Sequence, residues 1–505
     1  HACFEGDVAA LDILRKDGCN LKQKFEWLKQ EEPTFSLAHA AAFNGNVEVL
    51  KYLRRFLPPS FFQTVDSTGS NPLHTLLESS RDLETARFLL SVGVDGFALN
   101  NLGRSPLSMA VEALPSLALE LLQDKARFEY RWWGNDLYWY SFNGIVLPVD
   151  TADHDGSSPV TPLFFRDQDG KPARLEDLII RHERKALLDT PVMRDLIEGK
   201  WASYAGPAYN RRIVTFVLMA VSSFVLAVST AGDAIFYIAA GSTFVNWAFF
   251  FQGETERVLN KLREDTPPPV GENTKKVLFS IDALNVYNVA MTPLLATYVL
   301  ASDAGLISLS PELDAIAAVL SGALQVTLTL YLLNLVTLFE SIGPLLITTV
   351  QMVQDALRFL AVIAFVLLGY ANGFYSLIHF GIGDENLPEE TKGDYSYSAI
   401  VSNLGIWLSG QPDLSFIAPL SPNVQIGAYG LFWTFIGISS FVLLNLLIAI
   451  FNTTYEKVTA NSFAEWLFIR LSTCREFEAD MNLESIQSYL KQLRARDNQR
   501  AVRNS

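Results

Sequence analysis

The segment SYSAIVSNLGIWLSGQPD, residues 396–413, is the most informative stretch of this 505-residue chain. Its first part, Ser396 to Leu408, is mostly apolar but too short to cross the ~30 Å hydrocarbon core of a bilayer. A polar turn containing Gly410 and Asp413 follows directly. This pattern is typical of a helix that enters the membrane partway, is buried in protein, and turns back.

Longer apolar runs lie on both sides of this half-span. Six of them are long enough to cross a bilayer, at residues 213–229, 233–251, 278–300, 313–334, 356–380 and 424–452. The half-span lies between the fifth and sixth runs. The sequence therefore predicts a mainly α-helical protein with six membrane helices and one re-entrant helix.

Basic residues set the orientation, because cytoplasmic loops are enriched in Lys and Arg. Arg211 and Arg212 precede the first span, and five Lys or Arg residues lie between the second and third spans. The long loop after the fifth span contains only Lys392. We therefore expect a multi-pass protein with both termini in the cytoplasm, in a plasma or ciliary membrane.

Composition excludes several classes of protein. Half of the residues are apolar and 18% are charged, so a soluble part and a membrane part share the chain. The net charge of -15 argues against nucleic acid as a partner. Three cysteines imply no disulfide framework. The chain begins with His1 rather than Met, so we expect a trimmed fragment. No P-loop, zinc-protease or nucleophile-elbow motif is present, so we expect no enzyme, cofactor or metal site.

A repeating pattern occupies residues 1–130. The segments around His39, His74 and Ser108 each begin a helix pair of the ankyrin type, and a fourth copy with its front missing opens the chain. The spacings of 35 and 34 residues are close to the 33-residue ankyrin period. We interpret both histidines as structural, and we expect the array to bind other subunits or cytosolic proteins.

The aromatic segment after Arg131 has two interpretations. Alternating residues around Gly134-Asn135-Asp136 favour a small hairpin. A packed linker is the interpretation that we prefer, with a further guess that it docks on the repeats of a neighbouring subunit.

The polar turn is a candidate ion filter, formed by Ser409, Gly410, Gln411 and Asp413. Carbonyl and carboxylate oxygens at such a turn can coordinate a permeating cation. One turn cannot enclose a pore, so four chains around an axis are expected. The acidic loop before it, residues 384–394, is either an ordinary solvated loop or a cation-concentrating mouth, and the adjacent half-span favours the second. Sodium, potassium and calcium are the expected permeant ions.

The fourth span contains no basic residue: no Lys or Arg lies between Lys276 and Arg358. A voltage sensor requires several such charges, so a voltage-gated channel is disfavoured. The first four spans are better interpreted as a static scaffold or a ligand pocket.

Several motifs resemble transient receptor potential (TRP) cation channels. Phe441 to Asn452, with Thr454 to Val458 after it, resembles the last pore helix of that family, and Glu465 to Arg470 resembles its TRP box. Residues between His182 and Trp201, and Asp355, Arg358 and Phe359, are similar to the vanilloid group. The resemblance is closest to that group, and an algal member is one interpretation.

The resemblance implies roles for individual residues. It places a lower gate at Ile448, with Asn445 and Asn452 on the same helical face, and it assigns coupling to Trp466 and Arg470. Trp466 would anchor the TRP helix to the linker at residues 340–354. Lys200, Arg358 and Arg470 are candidates to bind a phosphoinositide, although positive-inside charge explains them equally well. Gln411 follows Gly410 where calcium-selective vanilloid members place an acid, so calcium permeation is expected without strong selectivity.

The expected fold is thus a tetrameric ankyrin-repeat solenoid plus a six-helix transmembrane channel domain of the TRP and voltage-gated type. Its divisions are ankyrin repeats at 1–130, a linker and pre-S1 segment at 131–210, the S1–S4 bundle at 211–337, the S4–S5 linker at 338–355, a pore domain at 356–455 with its re-entrant helix at 396–408, the TRP helix at 456–475, and a C-terminal helix at 476–505.

The sequence also bears on two further classes of membrane protein. A transporter would show internally repeated halves with discontinuous spans, and none is evident. The main alternative is a non-conducting, ankyrin-bearing membrane receptor or scaffold. The half-span at 396–408 disfavours it, because a scaffold has no use for an apolar half-span followed by a polar turn.

Overall fold

The fold was analysed in a computed structural model of the chain. It describes residues 1–22, 35–132, 135–146, 165–167, 170, 172–229, 233–263, 272–303, 311–382, 395–411, 413–415, 417–418, 420–479, 481, 488–489 and 500–504. The chain divides into two compact units. The first comprises His1–Leu338 and Leu467–Ser505, and the second comprises Phe339–Trp466.

The N-terminal part of the first unit is built from four pairs of short helices, with one additional single-turn helix, Pro59–Phe62, between the second and third pairs. They are α1 (Ala2–Glu5), α2 (Val8–Lys16), α3 (Leu37–Phe43), α4 (Val47–Arg54), α5 (Pro59–Phe62), α6 (Pro72–Glu78), α7 (Leu83–Ser91), α8 (Pro106–Ala113) and α9 (Pro115–Asp124). Their starts follow from local sequence, because Asp7, Asn71, Asp82 and Ser105 cap helices through their side chains.

These helix pairs stack in two layers. The first helices, α1, α3, α6 and α8, contact one another in chain order, and so do the second helices, α2, α4, α7 and α9. The imidazole of His39 joins its own turn to the next through Nε2 and the Ser70 carbonyl, 3.0 Å apart. His74 repeats the contact with the Arg104 carbonyl at 3.1 Å. Both histidines therefore have structural contacts between successive pairs.

A three-stranded antiparallel sheet follows, with β2 in the centre. Its strands are β1 (Ala126–Trp132), β2 (Asn135–Tyr140) and β5 (Arg500–Asn504), and a separate two-stranded ribbon contains β3 (Phe165–Arg166) and β4 (Pro172–Ala173). The hairpin is therefore present, and the preference for a packed linker from Arg131 onward was wrong for residues 131–140.

The strand β5 also corrects the prediction of a C-terminal helix over 476–505. The helix Leu444–Ala479 ends at Ala479, residues 488–489 are again helical, and residues 500–504 form a strand that pairs with β2, from Asn504 opposite Asn135 to Arg500 opposite Trp139. The open edge of the hairpin supplies backbone partners that no local pattern reveals. Within that predicted helix, the stretch from Leu483 to Arg494 has the sequence pattern of a short amphipathic helix, and only its residues 488–489 are described.

Helices α10 (Leu175–Arg181), α11 (Lys185–Leu188) and α12 (Pro191–Lys200) precede the membrane part. A π-helical turn, Trp201–Ala205, joins α12 to α13 (Gly206–Val228). Gly206 is required at this junction, because a Cβ there would lie 2.8 Å from the Trp201 carbonyl oxygen.

The membrane helices of the first unit are α13, α14 (Ala234–Arg263), α15 (Glu272–Asp303) and α16 (Pro311–Val336). They form a bundle around a shared apolar core that includes Phe216, Phe250 and Tyr331. The second unit contains α17 (Gly343–Ile382), α18 (Tyr397–Leu408), α19 (Pro422–Gly437) and a π-helical segment, Ile438–Leu443. The last helix, α20 (Leu444–Ala479), begins in this unit and ends in the first.

By length and composition, four helical stretches among the described residues qualify as membrane spans: Pro191–Val228, Ala234–Thr255, Ala315–Val336 and Phe359–Phe380. Helices also cover the predicted third and sixth spans, but those two spans stay predictions. The predicted linker at 338–355 is not a separate element, because α17 is one helix from Gly343 through the fifth span.

Candidate functional site

Helix α18 is an apolar half-span with one face buried in protein. Its buried residues Ile400, Leu404 and Trp407 follow a helical spacing and lie in the core of the second unit. The Trp407 ring contacts Phe374 edge-on, with ring centroids 5.6 Å apart, and Phe432 at 4.8 Å. At twelve residues the helix is too short to span a bilayer, so burial against α17 and α19 is what holds it.

The turn after α18 has a defined geometry. Gly410 has a φ of +85°. Its N–H donates to the Trp407 carbonyl at 3.1 Å, and the Gln411 N–H donates to the Ile406 carbonyl at 3.3 Å. This is the Schellman pattern that terminates helices at a left-handed residue. Gly410 therefore ends the helix, a role that the prediction of a candidate filter did not include.

The remaining candidate filter residues are close together in the chain and exposed. The hydroxyl of Ser409 donates back to the Ile406 carbonyl at 2.6 Å. The Asp413 carboxylate accepts from the Ser415 N–H at 2.8 Å and from its hydroxyl at 2.5 Å, which fixes its orientation. Pro412 and the acidic loop at 384–394 lie outside the described residues.

The candidate gate residues share one exposed face of α20. Asn445, Ile448 and Asn452 are exposed, with Ile448 at 48%. The amide of Asn445 is held by its own helix, donating to the Phe441 carbonyl at 2.8 Å. Leu447 and Ile450 point the other way and pack against the apolar pair of α17, Phe359 and Ile363. The helix thus separates a packing face from a free face.

The two TRP-box residues are both buried. Trp466 is 1% exposed, and its ring lies 5.3 Å from that of Phe463. The guanidinium of Arg470 lies over the Trp201 ring, 4.7 Å from its centroid, which is within the range of a cation–π contact.

The structure corrects the lipid-site prediction for two of its three residues. Lys200 is 1% exposed, and its ammonium pairs with Glu176 at 2.7 Å and Glu478 at 2.9 Å. Arg470 is 8% exposed and lies against Trp201. A charged group that is buried and paired in this way is not available to a lipid phosphate. The side chain of Arg358 lies outside the described part of the chain.

Lys200 belongs to a buried cluster of ion pairs, which we call the Glu478 cluster. It joins α10, α12 and the end of α20 with three cations and three anions: Arg174, Lys200, Arg475, Glu176, Asp177 and Glu478. Arg174 reaches the Glu478 carboxylate at 2.7 Å, and Arg475 pairs with both Glu478 and Asp177.

Glu478 is the centre of this cluster. Its carboxylate contacts three cations, and its side chain is 2% exposed. Burial by itself raises the pKa of Glu478, but the charges of Lys200, Arg475 and Arg174 hold that pKa well below its usual range. The group therefore stays ionised, and it ties the end of α20 to the segment before the first membrane helix. Sequence reasoning missed it, because the paired residues are far apart in the chain.

Polar side chains cross-link the bundle of α13 to α16 near one end. Arg212 pairs with Glu254 at 2.5 Å and donates to the Tyr331 hydroxyl at 2.8 Å. Asn285 donates to Glu254 at 2.9 Å, so all four helices take part. Paired polar groups of this kind hold membrane helices together, which favours the static-scaffold interpretation of the bundle.

These features define a membrane protein in which a cross-linked four-helix bundle precedes a unit with a buried half-span. Residues 272–487 match the family described as "Calcium channel YVC1-like, C-terminal". Short transient receptor potential channel 3 of Rattus norvegicus is 28% identical over 132 residues, 26% of this chain and 14% of that protein. Short transient receptor potential channel 4 of Mus musculus is 31% identical over 160 residues, 28% of this chain and 16% of that protein.

The matched segments thus span about a sixth or less of the length of these curated relatives. The similarities support a channel of the TRP type, and they indicate a non-enzymatic ion channel rather than an enzyme. The grouping with vanilloid channels and an algal origin stay predictions.

Proposed function

We propose that this chain is one subunit of a homotetrameric, non-selective, calcium-permeable cation channel. The observation that carries the proposal is α18, an apolar half-span with one face buried in protein, which ends in the exposed turn at Gly410 and Asp413. Four such turns around an axis would present carbonyls and a ring of carboxylates to a cation. The match to a calcium-channel family supports the assignment to a channel.

The gate in this proposal is a hydrophobic constriction formed by Ile448 from each subunit. Support comes from the free face of α20, which carries Asn445, Ile448 and Asn452 opposite the residues that pack on α17. A ring of isoleucines can close a pore by excluding water. The π-helical segment at Ile438–Leu443 directly precedes this face, and such segments often mark functional sites.

Coupling to the gate runs through α20 itself, because the candidate gate and the TRP box lie on one helix. Trp466 would anchor this helix to the start of α17, and the Glu478 cluster would hold its end. A phosphoinositide at the inner leaflet would have to use side chains other than Lys200 and Arg470, because both are buried.

The stacked helix pairs are proposed to be ankyrin repeats in the cytoplasm, with both termini on that side and the channel in a plasma or ciliary membrane. Their two-layer stacking and the repeated histidine contacts support this interpretation. Cytosolic proteins and neighbouring subunits are the proposed partners of the array.

Calcium permeation without strong calcium selectivity is proposed for the filter. Gln411 directly follows Gly410, and the nearest acid, Asp413, is two residues further on. A neutral residue beside the narrowest turn gives a weaker field for divalent ions than a carboxylate there would.

The reversal potential of currents from the expressed full chain tests the proposal, with sodium and calcium exchanged outside. We expect cation-selective currents whose calcium permeability falls in Asp413→Ala but not in Asp303→Ala, a control acid at the end of α15. An anion-selective current would contradict the filter. Surface-expressed protein without current under heat, stretch or added lipid would favour the non-conducting receptor.

A further inference from the structure

In the first three helix pairs, the residue directly before the N-cap of the second helix has a positive φ. In the first two pairs this residue is glycine in the left-handed region, Gly6 with φ +84° and Gly45 with φ +69°. In the third pair it is Arg81, with φ +54°, directly before the capping residue Asp82. Glycine adopts this conformation freely, whereas a side chain makes it unfavourable. An arginine in this strained conformation is the observation from which a hypothesis about its side chain starts.

The side chain of Arg81 lines a concave pocket of about 300 Å³. The pocket lies between the ends of α6 and α8, and it is lined by Leu77, Glu78, Arg81, Arg104, Met109 and Ala113. Leu77 and Met109 are buried and give it an apolar wall. Arg81 and Glu78 are exposed at its rim. The pocket is therefore open to a partner and has both an apolar wall and charge.

Two guanidinium groups face this pocket with unused hydrogen-bond donors. Within the described part of the chain, Arg81 makes no ion pair and no side-chain hydrogen bond. Arg104 is held in place by Glu112 at 2.8 Å, with only 15% of its side chain exposed. Its Nε atom is buried and has no hydrogen-bond partner. Buried donors of this kind normally have an acceptor.

We propose that this pocket binds an acidic side chain of an extended segment of a partner protein. The carboxylate would accept from the Arg81 guanidinium, a pairing for which guanidinium groups are suited, and the Arg104 guanidinium beside it would add positive charge. The methylenes of the acidic residue, or an apolar neighbour, would pack on Leu77 and Met109.

The negative charge of Glu78 at the rim of the pocket favours a peptide ligand over a phosphate. The Glu78 carboxylate would repel a dianion, whereas it can accept a backbone N–H from a peptide that lies across the pocket. Glu112 neutralises Arg104, and the Glu78 carboxylate offsets Arg81, so the pocket is close to neutral overall, which suits a singly charged carboxylate on the Arg81 guanidinium better than a dianion.

The test is an array of immobilised decapeptides, each with a central Glu or Asp and a matched copy in which Gln or Asn replaces it. The full chain in detergent is applied as wild type, as Arg81→Gly and as Arg55→Ala, a control arginine at the end of α4. Arg81→Gly is the sharpest variant, because it removes the guanidinium and relieves the backbone strain. We expect its melting temperature to equal or exceed that of wild type.

The expected result is binding to a subset of acidic peptides over their amide copies, reduced about tenfold or more by Arg81→Gly and unchanged by Arg55→Ala. Equal binding by wild type and Arg81→Gly, or no preference for acids, would overturn the proposal. Complete competition by millimolar inorganic phosphate would also overturn it, in favour of an anion site. A melting temperature lowered by Arg81→Gly would remove the strain argument.

Discussion

The ammonium of Lys200 lies 2.9 Å from the carboxylate of Glu478, although 278 positions separate the two residues in the chain. Both side chains are almost fully buried, at 1% and 2% exposed. This pair places the end of α20 against α12, just before the first membrane helix.

Removal of the Glu478 charge is expected to destabilise this junction strongly. Glu478→Gln keeps the shape of the side chain but leaves three buried cations, Lys200, Arg174 and Arg475, with one anion fewer. Breaking a buried ion pair on one side costs about 3–5 kcal/mol. The thermal midpoint of the full chain in detergent measures the loss. Glu456→Gln, an exposed glutamate on the same helix, is the control and is expected to change little.

The gate prediction concerns Ile448. Ile448→Asn is expected to leave a standing current without stimulus, because a polar ring no longer excludes water from the constriction. Leu446 is similarly exposed, at 45% against 48%, but lies on a different side of the helix. Leu446→Asn is therefore the matched control and should remain closed at rest. Whole-cell recording without stimulus distinguishes them, and equal leak from both variants would argue against an Ile448 gate.

Substitution by alanine is expected to change stability in opposite directions at two glycines, Gly405 within α18 and Gly410 just after it. Gly410 has φ +85°, so Gly410→Ala is expected to cost about 1 kcal/mol at the helix end. Gly405 lies inside α18, where alanine is favoured over glycine by about 0.5–1 kcal/mol. A Cβ meets nothing within 4 Å at either position. The melting temperatures of the two variants therefore compare the backbone conformations of the two glycines. A lower melting temperature for Gly405→Ala than for Gly410→Ala would contradict the left-handed conformation of Gly410.

Acid is expected to loosen the stacked helix pairs through His74. Burial lowers the pKa of His74 from 6.5 to about 4, so the folded chain holds it neutral while the unfolded chain takes up a proton. The free energy of unfolding should therefore fall as the pH drops from 6.5 towards 4, by about 3 kcal/mol in total. Ser108 begins the next pair in the same way, which makes His74→Ser the natural variant.

The denaturant midpoint of the full chain across this pH range measures the effect. His74→Ser should be less stable than wild type at neutral pH and should lose less stability on acidification. His1→Ser, which changes an exposed histidine, should keep the wild-type slope. An unchanged slope in His74→Ser would rule out this residue as the source of the acid sensitivity.

Much of the candidate site could be predicted from local sequence. The half-span is predictable because the segment is apolar but too short to cross a bilayer, and α18 lies at 397–408, within the predicted range of 396–408. The shared face of Asn445, Ile448 and Asn452 follows from helical periodicity alone. The role of Gly410 in ending the helix was also readable in principle, since a glycine directly after an apolar helix is a common stop signal.

Three features were missed or misjudged for the same physical reason. Lys200 and Arg470 were candidates for a lipid head group. In the structure, Lys200 is buried and paired with the carboxylates of Glu176 and Glu478, and Arg470 is buried against the ring of Trp201. The strand at 500–504 pairs with a hairpin more than 350 positions earlier in the chain. Patterns of period 2 or 3.6 carry no information on such distant partners.

The sequence by itself determined the helical class, the half-span, the helix pairs and the free face of α20, because each depends on spacing within one element. Only the tertiary structure decided which charges are paired, which cations remain available, and where the end of the chain adds a strand. The reason is that desolvation and ion pairing depend on which distant side chains fold together, and a buried cation without its anion would not be stable.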